Sequence, residues 1–244
     1  MRHPLQLAAT TLLLAAPAAR TQIRSPQVNI HRHHTQDLSW LWQYTEPAPN
    51  GRENDLLGDP RLKPFLKQNL TAPQTFWGQP PAQPKPLADV AMEFLVVPGD
   101  VLGENDRYLT ADGCVQHFCP DRGLLWIDLG LPKPLVVFAA IDWITENRAT
   151  DDKSSAYTLW LFPSIPIDST RIPAALIRSL RRWTDRPSSG STDLQNITRV
   201  FLVDPDGTPH TLAPSAVGAH NALPAETSNE LSASTPDTAP KAKP

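Results

Sequence analysis

Apolar residues recur at helical spacing in two stretches of the chain. The first stretch begins at Asp59-Pro60, a favourable pair for starting a helix, and ends before Pro73. The second runs from Arg171 to Trp183, and its apolar face is made of Ile172, Leu176, Leu180 and Trp183. Both patterns predict amphipathic helices.

Between these two stretches the apolar positions follow the pattern of β-strands. Three apolar runs with short links between them predict an antiparallel meander. The run from Val90 to Val97 fits either a strand or a helix. We therefore predict an α+β domain, an antiparallel sheet of about five strands with flanking helices. The predicted strands cover residues 107–111, 124–129, 135–141, 156–162 and 197–203.

The two ends of the chain differ from its centre. A short basic start, an apolar run and the small residues of Ala16-Pro17-Ala18 predict a secretory signal peptide over residues 1–18. Residues 19–37 are expected to form a flexible linker, and the Ala-, Pro- and Ser-rich residues 213–244 a disordered tail. A single domain is then expected over 38–212. We expect export to the periplasm and no membrane span in the mature protein, because a span needs about 20 apolar residues.

Composition and motifs narrow the function classes. The formal net charge of −3 does not favour a nucleic-acid surface. The chain has no Gly-x-Ser-x-Gly, phosphate-loop or His-Glu-x-x-His motif, so we expect a protein that is not an enzyme. Catalysis would need Asp112, Asp128 or Asp142 beside His117. We expect those acids to be ordinary strand-end and turn residues.

The only two cysteines of the chain, Cys114 and Cys119, enclose four residues. With His117 they offer three soft metal ligands, but the second ligand pair of a zinc site is absent. A redox pair is usually Cys-x-x-Cys at the start of a helix. In an oxidising compartment a cysteine pair usually forms a disulfide. We therefore predict a disulfide-closed loop, with no metal and no cofactor.

The predicted ring has two possible roles. Closing six residues stabilises the fold by only about 2 kcal/mol through loop entropy. The ring also holds its tip in one shape, so that the tip loses less entropy when it binds a partner. In that case the binding residues are Val115, Gln116, His117 and Phe118. The alternative is a purely structural ring in which the histidine is incidental.

The segment Cys114-Val115-Gln116-His117-Phe118-Cys119 resembles the Cys-Lys-Pro-His-Asp-Cys loop of the periplasmic inhibitors of vertebrate lysozyme, the Ivy family. Residues 62–78 resemble that family's helix, proline and aromatic cluster, and residues 124–162 its run of three strands. The resemblance implies an Ivy-like fold and a loop that enters the lysozyme cleft. It also implies that His117 hydrogen-bonds the two catalytic carboxylates of the enzyme and that the two cysteines form the staple.

The loop also departs from the family. Val115, Gln116 and Phe118 stand where the family has lysine, proline and aspartate. The resemblance therefore supports the expectation of the family's fold for this chain better than the expectation of the family's inhibitory activity. The expected partner is lysozyme or another cell-wall lytic enzyme. The alternative is a structural or interaction module of the cell envelope without inhibitory activity, and the sequence does not fix the oligomeric state.

Overall fold

The structure is a computed structural model. It describes residues 37–45, 53–78, 83–144 and 155–221. The predicted signal peptide, the predicted linker before Asp37 and the predicted tail after Asn221 lie outside the described residues. Within the described ranges, no helix is both long enough and apolar enough to cross a membrane.

A mixed sheet of seven strands forms the centre of the domain, and its strands lie side by side in chain order. All neighbouring strands are antiparallel except the fifth and sixth, which are parallel. The strands are β1 (Val97–Glu104), β2 (Tyr108–Val115), β3 (Phe118–Asp128), β4 (Leu135–Trp143), β5 (Ala156–Pro163), β6 (Asn196–Val203) and β7 (Pro209–Leu212).

Helices cover both faces of this sheet. On one face lie α1 (Leu62–Asn69) and α2 (Leu87–Phe94), together with two 3-10 segments, Ser39–Tyr44 and Glu53–Gly58. On the other face lies α3 (Ala174–Thr184), which connects β5 to β6. Two separate apolar cores result, one on each side of the sheet.

The sequence of the central strand β4 is almost entirely apolar because both of its faces are buried. Its alternate residues Val136, Phe138 and Ala140 enter the core beneath α1 and α2. The residues between them enter the core beneath α3. A strand buried on both faces needs apolar side chains at every position, so the usual alternation with polar residues disappears.

Much of the predicted architecture is confirmed. The fold is α+β, both predicted helices form, and β3, β4 and β5 are a meander of antiparallel neighbours. The ambiguous stretch that begins at Val90 is helical as far as Phe94, within α2.

The prediction of about five antiparallel strands is wrong in two respects. Two more strands are present, β1 and β7, and they lie at the two edges of the sheet. Pro98-Gly99 is typical of a turn but lies in β1, where the register shifts between Pro98 and Val101. An edge strand tolerates proline because one side of it has no ladder to complete.

The second error concerns strand direction. β5 and β6 are parallel, and α3 lies between them in the chain. Parallel neighbours need a crossover of a dozen or more residues, usually a helix, and α3 supplies it.

The ordered chain also continues past Leu212, where we expected the domain to end. Residues Pro214–Val217 form a 3-10 turn, and Val217 is fully buried in the core beneath α3. The backbone N–H of Ile197 in β6 donates a hydrogen bond to the carbonyl oxygen of His220. These contacts attach the segment to the sheet.

Candidate functional site

The two cysteines lie at the base of the hairpin that joins β2 to β3. They form a disulfide with a Cα–Cα distance of 4.8 Å, as predicted. Val115 is paired with Phe118, so that Gln116 and His117 alone form the turn. The register shifts next to this pair, since Cys114 is opposite Arg122. The extra residues of β3 at this point widen the hairpin, and the disulfide spans it.

The backbone of the turn has an unusual conformation at His117. Its φ angle is +64°, in the left-handed region that few residues other than glycine adopt. Two-residue hairpin turns need such angles and usually obtain them from glycine or asparagine. Neither occurs at the tip of this turn, so the disulfide and the packing of the flanking residues must hold the shape.

The two residues that flank the turn are anchored on opposite faces of the sheet. Val115 is half-buried and packs against the core beneath α1 and α2. Phe118 is half-buried and stacks on Trp143 of β4, with ring centroids 5.4 Å apart and an interplanar angle of 20°. Trp143 in turn stacks on the fully buried Tyr157 of β5, at 5.9 Å.

Two buried polar side chains fix the start of β3, next to the hairpin turn, by hydrogen bonds to the backbone. Asp121 is buried, and its Oδ1 accepts a hydrogen bond from the backbone N–H of Trp143 at 3.1 Å. Gln195 is also buried, and its amide donates to the carbonyl oxygen of Pro120 at 2.7 Å. The widened part of β3 is therefore fixed both to β4 and to the chain just before β6.

The tip itself is open to solvent. Gln116 and His117 are exposed, unlike the other two residues of the predicted binding loop. Within the described part of the chain, the imidazole of His117 has no hydrogen-bond or ion-pair partner. The geometry therefore presents one imidazole and one amide side chain on a fixed backbone.

The acids considered for catalysis are not brought together with His117. Asp128 lies at the far end of β3 and accepts two hydrogen bonds from the guanidinium of Arg107, at 2.8 and 2.7 Å. Asp142 is opposite Thr158 in the sheet. Asp112 forms an ion pair with Arg186, in the segment after α3.

That ion pair borders a cavity of about 280 Å³ beside the base of the hairpin. The cavity lies between β1, the end of β2 and the segment after α3. Its charged lining is made of Asp112, Arg122 and Arg186, and Cys114 forms part of the wall. His117 is not among the residues that line it.

The charged groups of the cavity hold each other in place. Arg122 donates to the backbone carbonyl of Arg186 at 3.0 Å, and its guanidinium lies 5.2 Å from the ring centroid of Trp183. Arg186 binds Asp100 at 2.5 Å in addition to Asp112. Burial raises the pKa of Asp112 and outweighs the attraction of Arg186, and nearby Asp100 raises it further.

Sequence reasoning missed several of these residues. Trp143 ends an apolar run, and nothing local indicates that it contacts Phe118. Arg122 follows Asp121 directly before the apolar run of β3, and a charged pair next to a buried strand is a weak local signal of a buried cation. Arg186 follows a helix with several exposed arginines and cannot be told apart from them by pattern.

No group of three or more histidine, cysteine, aspartate or glutamate side chains within the described ranges is arranged to hold a metal ion. No protein-family model, curated protein or solved structure matches the chain. The resemblance to the lysozyme inhibitors therefore stays a prediction from the sequence of the loop and its flanking segments.

Proposed function

We propose that the chain is an exported binding protein that presents the disulfide-closed hairpin tip to a lysozyme or another cell-wall lytic enzyme and inhibits it. The observation that carries the proposal is the exposed imidazole of His117 on a hairpin turn that is closed by a disulfide. A catalytic histidine is usually found in a concave site with a polar partner. His117 does not line the cavity beside the hairpin, and its imidazole has no polar partner in the described part of the chain.

The chemistry of the proposed target explains why a histidine suits this position. Lysozymes act through a pair of carboxyl groups, one of which donates a proton. An imidazolium can donate hydrogen bonds from both ring nitrogens, and charge-assisted bonds of this kind are strong. A histidine side chain placed between the two carboxyl groups would therefore occupy both without any covalent step.

The loop composition shapes the proposed contact. Gln116 and His117 are the exposed pair that would meet the enzyme, whereas Val115 and Phe118 are half-buried and hold the tip from both faces. Gln116 can add one amide hydrogen bond at the rim of the cleft. Fixing the tip before binding reduces the entropy lost on association.

A cell-wall lysis assay tests the proposal. The oxidised chain is titrated against vertebrate lysozyme and against bacterial lytic enzymes, with His117→Ala measured alongside. We expect the wild-type chain to inhibit at least one enzyme and His117→Ala to weaken the inhibition by about tenfold or more, since a charge-assisted hydrogen bond contributes roughly 1.5–3 kcal/mol.

Two controls make the result specific to the loop. His220→Ala removes a histidine from the segment beyond β7, and it should leave inhibition unchanged. Reduction of the disulfide should weaken inhibition while the fold is retained, as followed by circular dichroism. If the folded, oxidised chain inhibits none of these enzymes, the loop is a structural element or the contact surface of an envelope interaction module.

A further inference from the structure

The exposed tip of the hairpin is too small to form a specific interface by itself. Gln116 and His117 are exposed, whereas the residues on either side of them are half-buried. A specific protein–protein interface uses about 20–30 residues on each partner. An enzyme whose cleft receives the tip must therefore also contact the surface beside the hairpin, and the composition of that surface indicates which chemistry the enzyme presents there.

The start of β1 forms the surface on one side of the hairpin. Val97 is opposite Cys114 in the antiparallel β1–β2 pair. Val96 comes directly before β1, so it lies closer to the tip than Cys114 does and near the level of Val115. One strand residue spans about 3.3 Å, so the turn projects roughly 3–7 Å beyond Val96. Val96 therefore lies beside the hairpin and is set back from its tip.

Val96 exposes an unusual amount of apolar surface. It is 44% exposed, and no other large apolar residue within the described ranges is exposed to that extent. It begins the run Val96-Val97-Pro98, in which Val97 is half-buried and Pro98 is exposed. A run of three apolar residues at the surface works against solubility unless it serves a function. Its position beside the hairpin suggests that the function is a contact with the same partner.

The apolar run is fixed in place and has a polar border. The backbone N–H of Val96 donates a hydrogen bond to the carbonyl oxygen of Glu93, in the last turn of α2, at 3.4 Å. Val97 begins the pairing with β2. Asp100 and Gln116 are exposed on either side of the run. An apolar patch with a polar rim on a fixed backbone is typical of a protein–protein contact site.

We propose that Val96 packs against an apolar side chain at the rim of the enzyme cleft that the hairpin tip enters. This inference rests on the function proposed above and adds a second contact to it. Ligand clefts are lined mainly by apolar and aromatic side chains, with a small number of polar groups that fix the substrate. The polar tip meets the catalytic carboxyl groups, and Val96, set back from the tip, meets the apolar wall nearer the entrance.

The lysis assay tests this contact with variants of the full oxidised chain, against vertebrate lysozyme and the same bacterial lytic enzymes. Val96→Ala should weaken inhibition by about fivefold, because two buried methyl groups are lost from the interface. Val96→Asp should weaken it by more than about tenfold, because a charge is buried without a partner. Val96→Ile keeps the apolar contact and should inhibit within about twofold of wild type.

Two controls separate this contact from general effects. Ala174→Asp places the same new charge at the exposed first residue of α3, the helix that follows the end of β5 farthest from the hairpin. It should leave inhibition unchanged. Urea unfolding of the Val96 variants should give the wild-type midpoint, because an exposed side chain contributes little to stability. A loss of inhibition at that midpoint is then a loss of contact.

The outcomes distinguish this inference from the proposal for the tip. If Val96→Ala inhibits as well as wild type while His117→Ala does not, the tip contact stands and the contact of Val96 is overturned. Equal weakening by Val96→Asp and Ala174→Asp would assign the effect to charge and would also overturn it. Absence of inhibition by the folded wild-type chain would overturn the proposed function, and this inference with it.

Discussion

Phe118 stacks on Trp143 across the β3–β4 pair, with ring centroids 5.4 Å apart and planes inclined by 20°. The contact joins the first residue of β3 to the last residue of β4. It fixes the base of the hairpin from the face that α3 covers, opposite to the face on which Val115 packs. The tip is therefore held by side-chain packing as well as by the disulfide.

We expect Phe118→Ala to lower the free energy of unfolding by about 1–3 kcal/mol, because the lost ring is half-buried and the stacked pair is removed. Urea unfolding followed by tryptophan fluorescence measures the change. Val96→Ala truncates a residue that is 44% exposed and should change stability by less than about 0.5 kcal/mol. Similar effects of the two substitutions would show that the stacked pair does not anchor the hairpin.

Two paired glycines lie where the end of α2 approaches the sheet. Gly113 and Gly123 are opposite each other in β2 and β3. A Cβ atom on Gly123 would lie 2.8 Å from Cβ and 2.9 Å from the carbonyl oxygen of Phe94. These distances are shorter than van der Waals contact, and the neighbouring atoms include backbone, so the helix would have to move.

Gly123→Ala should accordingly destabilise the fold by about 1–3 kcal/mol through overpacking. Gly58→Ala is the matched control, since no atom lies within 4 Å of the position of its added Cβ. That control should be neutral or slightly stabilising. The urea midpoints of Gly123→Ala and Gly58→Ala, measured under the same conditions, test this difference. Equal midpoints would contradict the close approach of α2.

The sequence predicts the central strands well and the edges poorly, for a physical reason. β3, β4 and β5 are buried on both faces, so their apolar runs are long and easily recognised. β1 contains Pro98-Gly99, a local turn signal, and becomes a strand because β2 supplies a partner along it. β7 has only four residues, which is too few for a pattern.

The candidate site is predictable only where the signal is local. The expected oxidising compartment and the presence of just two cysteines, Cys114 and Cys119, predict the disulfide that the structure contains. The contact of Phe118 with Trp143 and the meeting of Arg122 with Arg186 join residues that are far apart in the chain. Those contacts depend on strand order and on the position of α3. The parallel pairing of β5 with β6 was open to prediction, since a helix between two strands is typical of a parallel crossover.

Asp59 makes a network at the start of α1 that should govern stability in acid. Its carboxylate is buried and accepts hydrogen bonds from the Tyr44 hydroxyl at 2.7 Å and from Arg61 Nε at 2.9 Å. The hydrogen bonds from the Arg61 side chain are the main reason that the pKa of Asp59 is held well below its usual range. Burial opposes this effect but does not outweigh it.

Because the pKa of Asp59 is lower in the folded chain than in the unfolded chain, its contribution to the free energy of unfolding must decrease in acid. The stabilisation from Asp59 is fully present above the unfolded-state pKa of about 4 and is lost as the pH falls through the lower folded-state pKa. Asp59→Asn should therefore cost about 1–3 kcal/mol at neutral pH, and the difference from wild type should shrink below about pH 4. Urea unfolding across this pH range measures it.

Asp106→Asn provides the control for charge alone. Asp106 is exposed, and asparagine tolerates its positive φ of 49° as well as aspartate does. This variant should follow the wild-type stability curve across the whole range. A constant difference between wild type and Asp59→Asn down to the lowest pH would contradict the assigned role of the buried carboxylate.

The backbone of His117 and its side chain can be tested separately, because the φ angle of +64° favours glycine. His117→Gly removes the imidazole and relieves the backbone, whereas His117→Ala removes the imidazole and keeps the strain. We expect the glycine variant to be more stable than the alanine variant by about 1 kcal/mol, measured by urea unfolding. Both should lose inhibition equally in the lysis assay, because the imidazole makes the proposed contact. Inhibition retained by His117→Gly would instead assign the activity to the shape of the ring rather than to the histidine.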